Sequence, residues 1–92
     1  MQKIRLYVGA NNTTKELERS KIETVLNRHY EGYSAFEIVG YWHGERERTL
    51  MIEILNEEPA PVHAKVAKEI KKECEQDAVL LEITDVNATF IN

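Results

Sequence analysis

Period-two alternation opens the chain: Ile4, Leu6 and Val8 are apolar and Lys3, Arg5 and Tyr7 intervene, until Gly9 and the polar run Asn11-Asn12-Thr13-Thr14 break the pattern. Alternation marks a strand with one buried face, and the break marks a loop. Thr13 followed three residues later by Glu16 has the form of a capping box. A helix is therefore expected from there to about His29, burying Leu17, Ile22, Val25 and Leu26 and exposing Lys15, Glu18, Arg19, Glu23 and Asn27. Glu31-Gly32 reads as its stop, because glycine tolerates the left-handed conformation. The period then returns to two. Phe36, Ile38 and Trp42, with Gly40 between them, are expected on the core side, and Ala35, Glu37, Val39 and Tyr41 on the other. Gly44 supplies a turn, and Leu50, Ile52 and Ile54 form the buried face of the next strand, so these two strands make a hairpin.

Asn56 to Pro61 is a loop, with Pro61 suited to the first helical position. Val62, Val66, Ile70 and Cys74 follow at four-residue steps, an amphipathic helix with Lys65, Lys68, Lys71 and Lys72 off the stripe. Val79, Leu81 and Ile83 alternate with Leu80, Glu82 and Thr84 to give a last strand. Residues 85–92 are a short tail whose Val86, Phe90 and Ile91 are too apolar for a purely solvated end, and it is expected to pack on its own sheet or at an oligomer interface. The order strand, helix, strand, strand, helix, strand predicts an α+β fold, a ferredoxin-like βαββαβ sandwich with a four-stranded antiparallel sheet and two helices on one face. Right-handed crossovers put the strands in the spatial order 4-1-3-2.

Composition narrows the classes. A chain of 92 residues holds one domain, 1–92, and its 42% hydrophobic and 30% charged side chains are those of a folded protein. Its formal charge of −4 argues against sequence-independent capture of duplex nucleic acid through phosphates. Cys74 is the only cysteine, which excludes an intrachain disulfide, and as part of an apolar stripe it reads as a buried inert thiol. The chain enters a strand pattern directly, with no apolar signal core and no membrane-length run, so a cytoplasmic location and no membrane partner are expected.

The candidate chemistry gathers around the first hairpin. Tyr41 is expected to face away from the core, offering a ring and a polar tip, while Trp42 falls in register with the rim of the core. His43 beside Glu45, Arg46 and Arg48 brings together a group that titrates near neutrality and side chains that match phosphate. The bland account of these four is a solvated hairpin tip with alternating charges. Asn11 and Asn12 end a strand where a helix opens, and Tyr7 precedes them on the open sheet face. Capping explains the asparagines well, since the glycines of a phosphate loop are missing. His29, His43 and His63 lack metal-ligand spacing, and no pattern asks for a cofactor. The expected ligand-binding set is Tyr7, Asn11, Asn12, Tyr41, Trp42, His43, Arg46 and Arg48.

Leu6-Tyr7-Val8-Gly9-Ala10-Asn11-Asn12, the helix Ile22 to Tyr30, Gly40-Tyr41-Trp42-His43-Gly44 and Gln76-Asp77-Ala78-Val79 together resemble short bacteriophage-type proteins. The phage context this resemblance implies points to small oligomeric proteins that sequester nucleotide signals of bacterial immunity. The topology is also similar to that of PII-like proteins and dimeric α+β barrels, although the turn at Gly44 is far shorter than a PII effector loop. The expectation is a non-enzymatic homo-oligomer that binds a small anionic, nucleotide-derived ligand, such as a cyclic nucleotide or cyclic ADP-ribose. An inhibitor of a host protein is the second reading. A small enzyme with His43 as acid or base ranks last, because no nucleophile or metal set accompanies it.

Overall fold

A computed structural model of the chain describes residues Met1–Asn92. The elements follow the expected order: β1 Gln2–Val8, α1 Arg19–His29, β2 Ser34–Trp42, β3 Glu45–Asn56, α2 Ala60–Glu73 and β4 Leu80–Asp85. The strands form one antiparallel sheet in the order β2-β3-β1-β4 with both helices on one face, a ferredoxin-like α+β sandwich. No helix is long and apolar enough to cross a membrane.

The core lies between sheet and helices. Ile4, Leu6 and Val8 meet Leu50, Ile52 and Ile54 across the β1–β3 ladder, and Ile22, Val25, Leu26, Val66 and Ile70 close over them. Burying each such side chain is worth about 1.5–3 kcal/mol. Cys74 belongs to the same cluster, and burial pushes its thiol up to about 11. Outside the core, Arg28 pairs with Glu69 and with Glu73 at 3.4 Å, and His29 Nε2 lies 2.8 Å from the Glu69 carboxylate. The hydrogen bond to His29 is the main cause that holds Glu69 below the usual carboxylate range.

Four expectations are corrected. The Thr13–Glu16 capping box is absent. Instead Asn11 Oδ1 accepts hydrogen bonds from the backbone N–H of Thr13 and Thr14, the backbone N–H of Asn11 donates to Glu16, and α1 begins only at Arg19. Gly32 is not a left-handed stop, since α1 leaves through an extended Tyr30 whose side chain turns back into the core. In α2 the four-residue stripe holds at Val66, Ile70 and Cys74 and fails at Val62, which is exposed, while His63 and Ala67 are buried beside it. His63 is tolerated there because the protein satisfies both ring nitrogens. Nε2 donates to the Glu58 carbonyl at 3.0 Å and Nδ1 accepts from the Tyr30 hydroxyl at 2.7 Å.

The fourth correction is the phase of β2. Ala35 pairs with Ile52 and Glu37 with Leu50 on the helix side, whereas Phe36, Ile38 and Trp42 pair with Met51, Thr49 and Glu45 on the open face. A one-residue slip exchanges every side chain between faces. Phe36, Ile38 and Trp42 are therefore exposed rather than core. The open face is thus unequal along its length. At one end Arg5 bridges Glu53 at 3.0 Å and Glu82 at 3.7 Å, and the Glu53 hydrogen bond raises its pKa. At the other end lie the aromatic side chains. The tail is tied once, by the Val86 N–H to the Met1 carbonyl, after which Phe90 and Ile91 are exposed.

Candidate ligand-binding site

The β2–β3 hairpin is longer than the strand it leans on. β1 pairs with β3 only from Leu50 onward, so Thr49 back to Glu45 and their partners Ile38 to Trp42 continue as a two-stranded ribbon beyond the end of β1. Such ribbons twist strongly. The two-residue turn at its tip has positive φ at His43 (50°) and Gly44 (78°), which matches that twist. The ribbon is fastened to the α2–β4 connection by one residue. Asp77 accepts from Trp42 Nε1 at 3.3 Å on one oxygen and from Asn12 Nδ2 at 2.7 Å on the other.

Beneath this span is a cavity of about 490 Å³, lined by Tyr7 of β1 and Gly9 just after it, Ile38, Gly40, Tyr41 and Trp42 of β2, Glu47 and Thr49 of β3, Asn12, and Gln76 through Leu80. Its floor depends on two glycines. A Cβ on Gly9 would lie 2.2 Å from Glu47 Oε1, and one on Gly40 would lie 2.3 Å from Thr49 Oγ1. Their absence lets Glu47 and Thr49 lean across the neighbouring strands. Glu47 and Asp77 are the only charged residues of the lining. Thr49 is 6% exposed, and its hydroxyl has no hydrogen-bond partner within the protein.

A second depression of about 620 Å³ lies beyond Trp42 and shares Asn12, Trp42, Glu47 and Asp77 with the first. Lys15, His43, Glu45, Arg46 and Arg48 also line it. The loop that delivers Lys15 is pinned by Asn11, whose Nδ2 donates to Glu18 at 3.3 Å and to Glu75 at 3.2 Å. Lys15 and Glu75 both hold positive φ, 65° and 48°. With His43 they are the non-glycine residues in that conformation, and all three ring this end of the sheet.

The eight residues expected from the sequence divide accordingly. Tyr7, Asn12, Tyr41 and Trp42 border the cavity, while His43, Arg46 and Arg48 lie at the second depression, which Asn12 and Trp42 also border. Tyr41 pairs with Arg46 on the helix-side face of the ribbon and is 71% exposed. Arg48 is engaged by Glu37. Asn11 is buried and its side chain is used up in holding the loop. The sequence reading missed Glu47, Thr49, Gln76, Asp77 and Lys15. Glu47 and Thr49 share parity with Met51, and with Gly9 and Gly40 opposite them that parity was the available signal. His29, His43 and His63 stand apart, and no group of His, Cys, Asp or Glu is arranged around a metal position.

No protein-family model matches the chain, and no curated protein matches it by sequence. Solved structures do share its fold. A phage SAM lyase in its apo state superimposes with a TM-score of 0.69 at 17% identity, covering 90% of this chain and 78% of the lyase. A phage SAM lyase in complex with S-methyl-5′-thioadenosine gives 0.60 at 18% identity, over 91% and 80%. The PII-like protein CPII from Thiomonas intermedia K12, bound to ADP, AMP and bicarbonate, gives 0.64 at 12% identity, over 100% and 98%. At these identities the likeness is one of fold.

Proposed function

We propose that the protein binds an adenosyl sulfonium compound of the S-adenosylmethionine class in the cavity under the hairpin, and depletes it by breaking a carbon–sulfur bond. The observation that carries the reading is a largely apolar cavity whose only charged lining residues are two carboxylates, Glu47 and Asp77. A fixed negative potential in a low-dielectric wall favours a cation. The volume lies within the range of about 300–1,000 Å³ usual for small-molecule sites. Trp42, Ile38 and Leu80 offer apolar surface for a purine, and the unpaired Thr49 hydroxyl offers one polar contact. Adenine nucleosides are present in both ligand-bound neighbours, which supports that part of the reading.

The charge of this cavity favours a cation over the anionic ligand expected from the sequence. A phosphate in this cavity would face two carboxylates and no cation. A sulfonium needs no metal to leave: when a nucleophile attacks the attached carbon, the C–S electron pair stays on sulfur and a neutral thioether departs. Attack by an anion annihilates charge, which a poorly hydrated cavity favours. The anion forms as a water passes its proton to Glu47 while its oxygen bonds to the carbon.

The test is incubation with S-adenosylmethionine and quantification of 5′-methylthioadenosine, alongside calorimetry with both compounds, cyclic AMP and cyclic ADP-ribose. Release of methylthioadenosine is expected, with Glu47→Gln weakening the sulfonium ligand more than the neutral thioether. Binding without turnover would leave the sequestering activity anticipated from the sequence, and tighter binding of the cyclic nucleotides would overturn the proposal. Exposed Phe36, Leu80, Phe90 and Ile91 support association of copies of the chain, which a native mass measurement reads directly.

A further inference from the structure

We infer that the depression beyond Trp42 is a second subsite, in which Lys15 and Arg46 bind the α-carboxylate of an amino-acid chain attached to the nucleoside. This rests on the reading of the adjoining cavity as a nucleoside site, and it extends that site to the part of the ligand that 5′-methylthioadenosine lacks. The two hollows are continuous. They share Asn12, Trp42, Glu47 and Asp77, so one ligand can occupy both by passing the Trp42–Asp77 span.

Ion pairs are unevenly distributed over the arginines. The chain has five arginines, and Arg5, Arg19, Arg28 and Arg48 each meet a carboxylate. Arg46 meets none, although acidic residues outnumber basic ones by 16 to 12. Lys15 is also without a carboxylate partner. Its loop is fixed by four hydrogen bonds to the buried Asn11 side chain, so its position is determined rather than adopted by chance. A guanidinium matches a carboxylate bidentately, and an ammonium adds a point charge.

Charge balance selects the chemical class. Three cations, Lys15, Arg46 and Arg48, face three carboxylates, Glu45, Glu47 and Asp77, across this hollow. A phosphate would meet no net positive charge there. A zwitterion places its carboxylate against Lys15 and Arg46 and its ammonium against the acidic side.

The experiment compares three probes by calorimetry: 5′-methylthioadenosine, which has no amino-acid chain; decarboxylated S-adenosylmethionine, which has the chain without the carboxylate; and S-adenosylhomocysteine, which has the whole zwitterion. Arg46→Gln and Lys15→Met should each weaken S-adenosylhomocysteine by about tenfold, the scale of one charge-assisted hydrogen bond, and leave the other two probes within about twofold. Both positions are exposed, and unchanged melting curves would confirm intact folding. If methylthioadenosine binds and the variants leave S-adenosylhomocysteine unchanged, the subsite is overturned while the nucleoside site stands. Equal losses for all three probes would also overturn it, because the residues would then shape the cavity rather than read the carboxylate. If methylthioadenosine does not bind the wild-type protein, the nucleoside reading falls and the subsite falls with it.

Discussion

His63 and Thr49 lie on opposite faces of the sheet, and each carries polar atoms shielded from solvent. At His63 the account is closed: a carbonyl takes one ring proton, a phenol gives another, and the Tyr30 ring stacks on the imidazole at 5.8 Å. At Thr49 it is open, for the hydroxyl is one of two buried side-chain polar atoms without a partner, the other being Gln2 Oε1 at the far end of β1. A satisfied buried group costs little and specifies packing, whereas an unsatisfied one costs free energy until a partner supplies the missing hydrogen bond. The helix layer is closed in its polar contacts, and the end of the open face leaves one hydroxyl free.

Substitutions should separate the two. The largest effect is expected for His63→Ala, which opens a cavity and strands the Tyr30 hydroxyl, costing about 3 kcal/mol in a denaturant titration. Tyr30→Phe keeps the ring and strands only Nδ1, so about 1–2 kcal/mol is expected. The same tyrosine, raised to about 12 by burial, should hold its stabilising neutral form below its usual value near 10 and lose that contribution as pH rises through 12. Thr49→Val is expected to leave stability within about 0.5 kcal/mol of wild type while lowering ligand affinity about tenfold. A loss of stability comparable to that of Tyr30→Phe would erase the contrast.

The smallest effect concerns the rim of the helix layer. Glu69 is held below its ordinary 4.5, so its contribution is full above that value and lost as pH falls through the lowered one. The melting difference between wild type and Glu69→Gln should therefore shrink as pH falls below the usual carboxylate range and vanish once Glu69 is protonated in the folded protein. A constant difference would show that the Arg28–His29 clamp acts through packing.

The order of elements and the buried faces of β1, β3 and β4 were legible, because each has one face that is clearly apolar. β2 was not. Ala35, Phe36, Ile38, Val39, Tyr41 and Trp42 are apolar on both parities, and the bulkier set was assigned inward. The core accepts the smaller Ala35 there, and the aromatics serve the outer face. His63 escaped because a histidine in an apolar stripe reads as an interruption, although His63, Val66, Ala67, Ile70 and Cys74 follow helical spacing better than a stripe begun at Val62. Of the candidate site, the aromatic and basic residues near Gly44 were visible as a cluster. Glu47, Thr49 and Asp77 were not, since what distinguishes them is the room left by Gly9 and Gly40 and a bond between residues 35 positions apart.

The overhanging ribbon has one more consequence, for how such a protein can change. Its two strands pair only with each other beyond Leu50, so their length is not tied to β1. Adding one residue to each strand would carry the turn outward and reverse which side chains look down, exchanging Trp42 for Tyr41 over the cavity. Adding two to each would restore the facing and deepen the hollow. The depth of the hollow can thus be changed in steps of even parity while the layer beneath keeps its sequence.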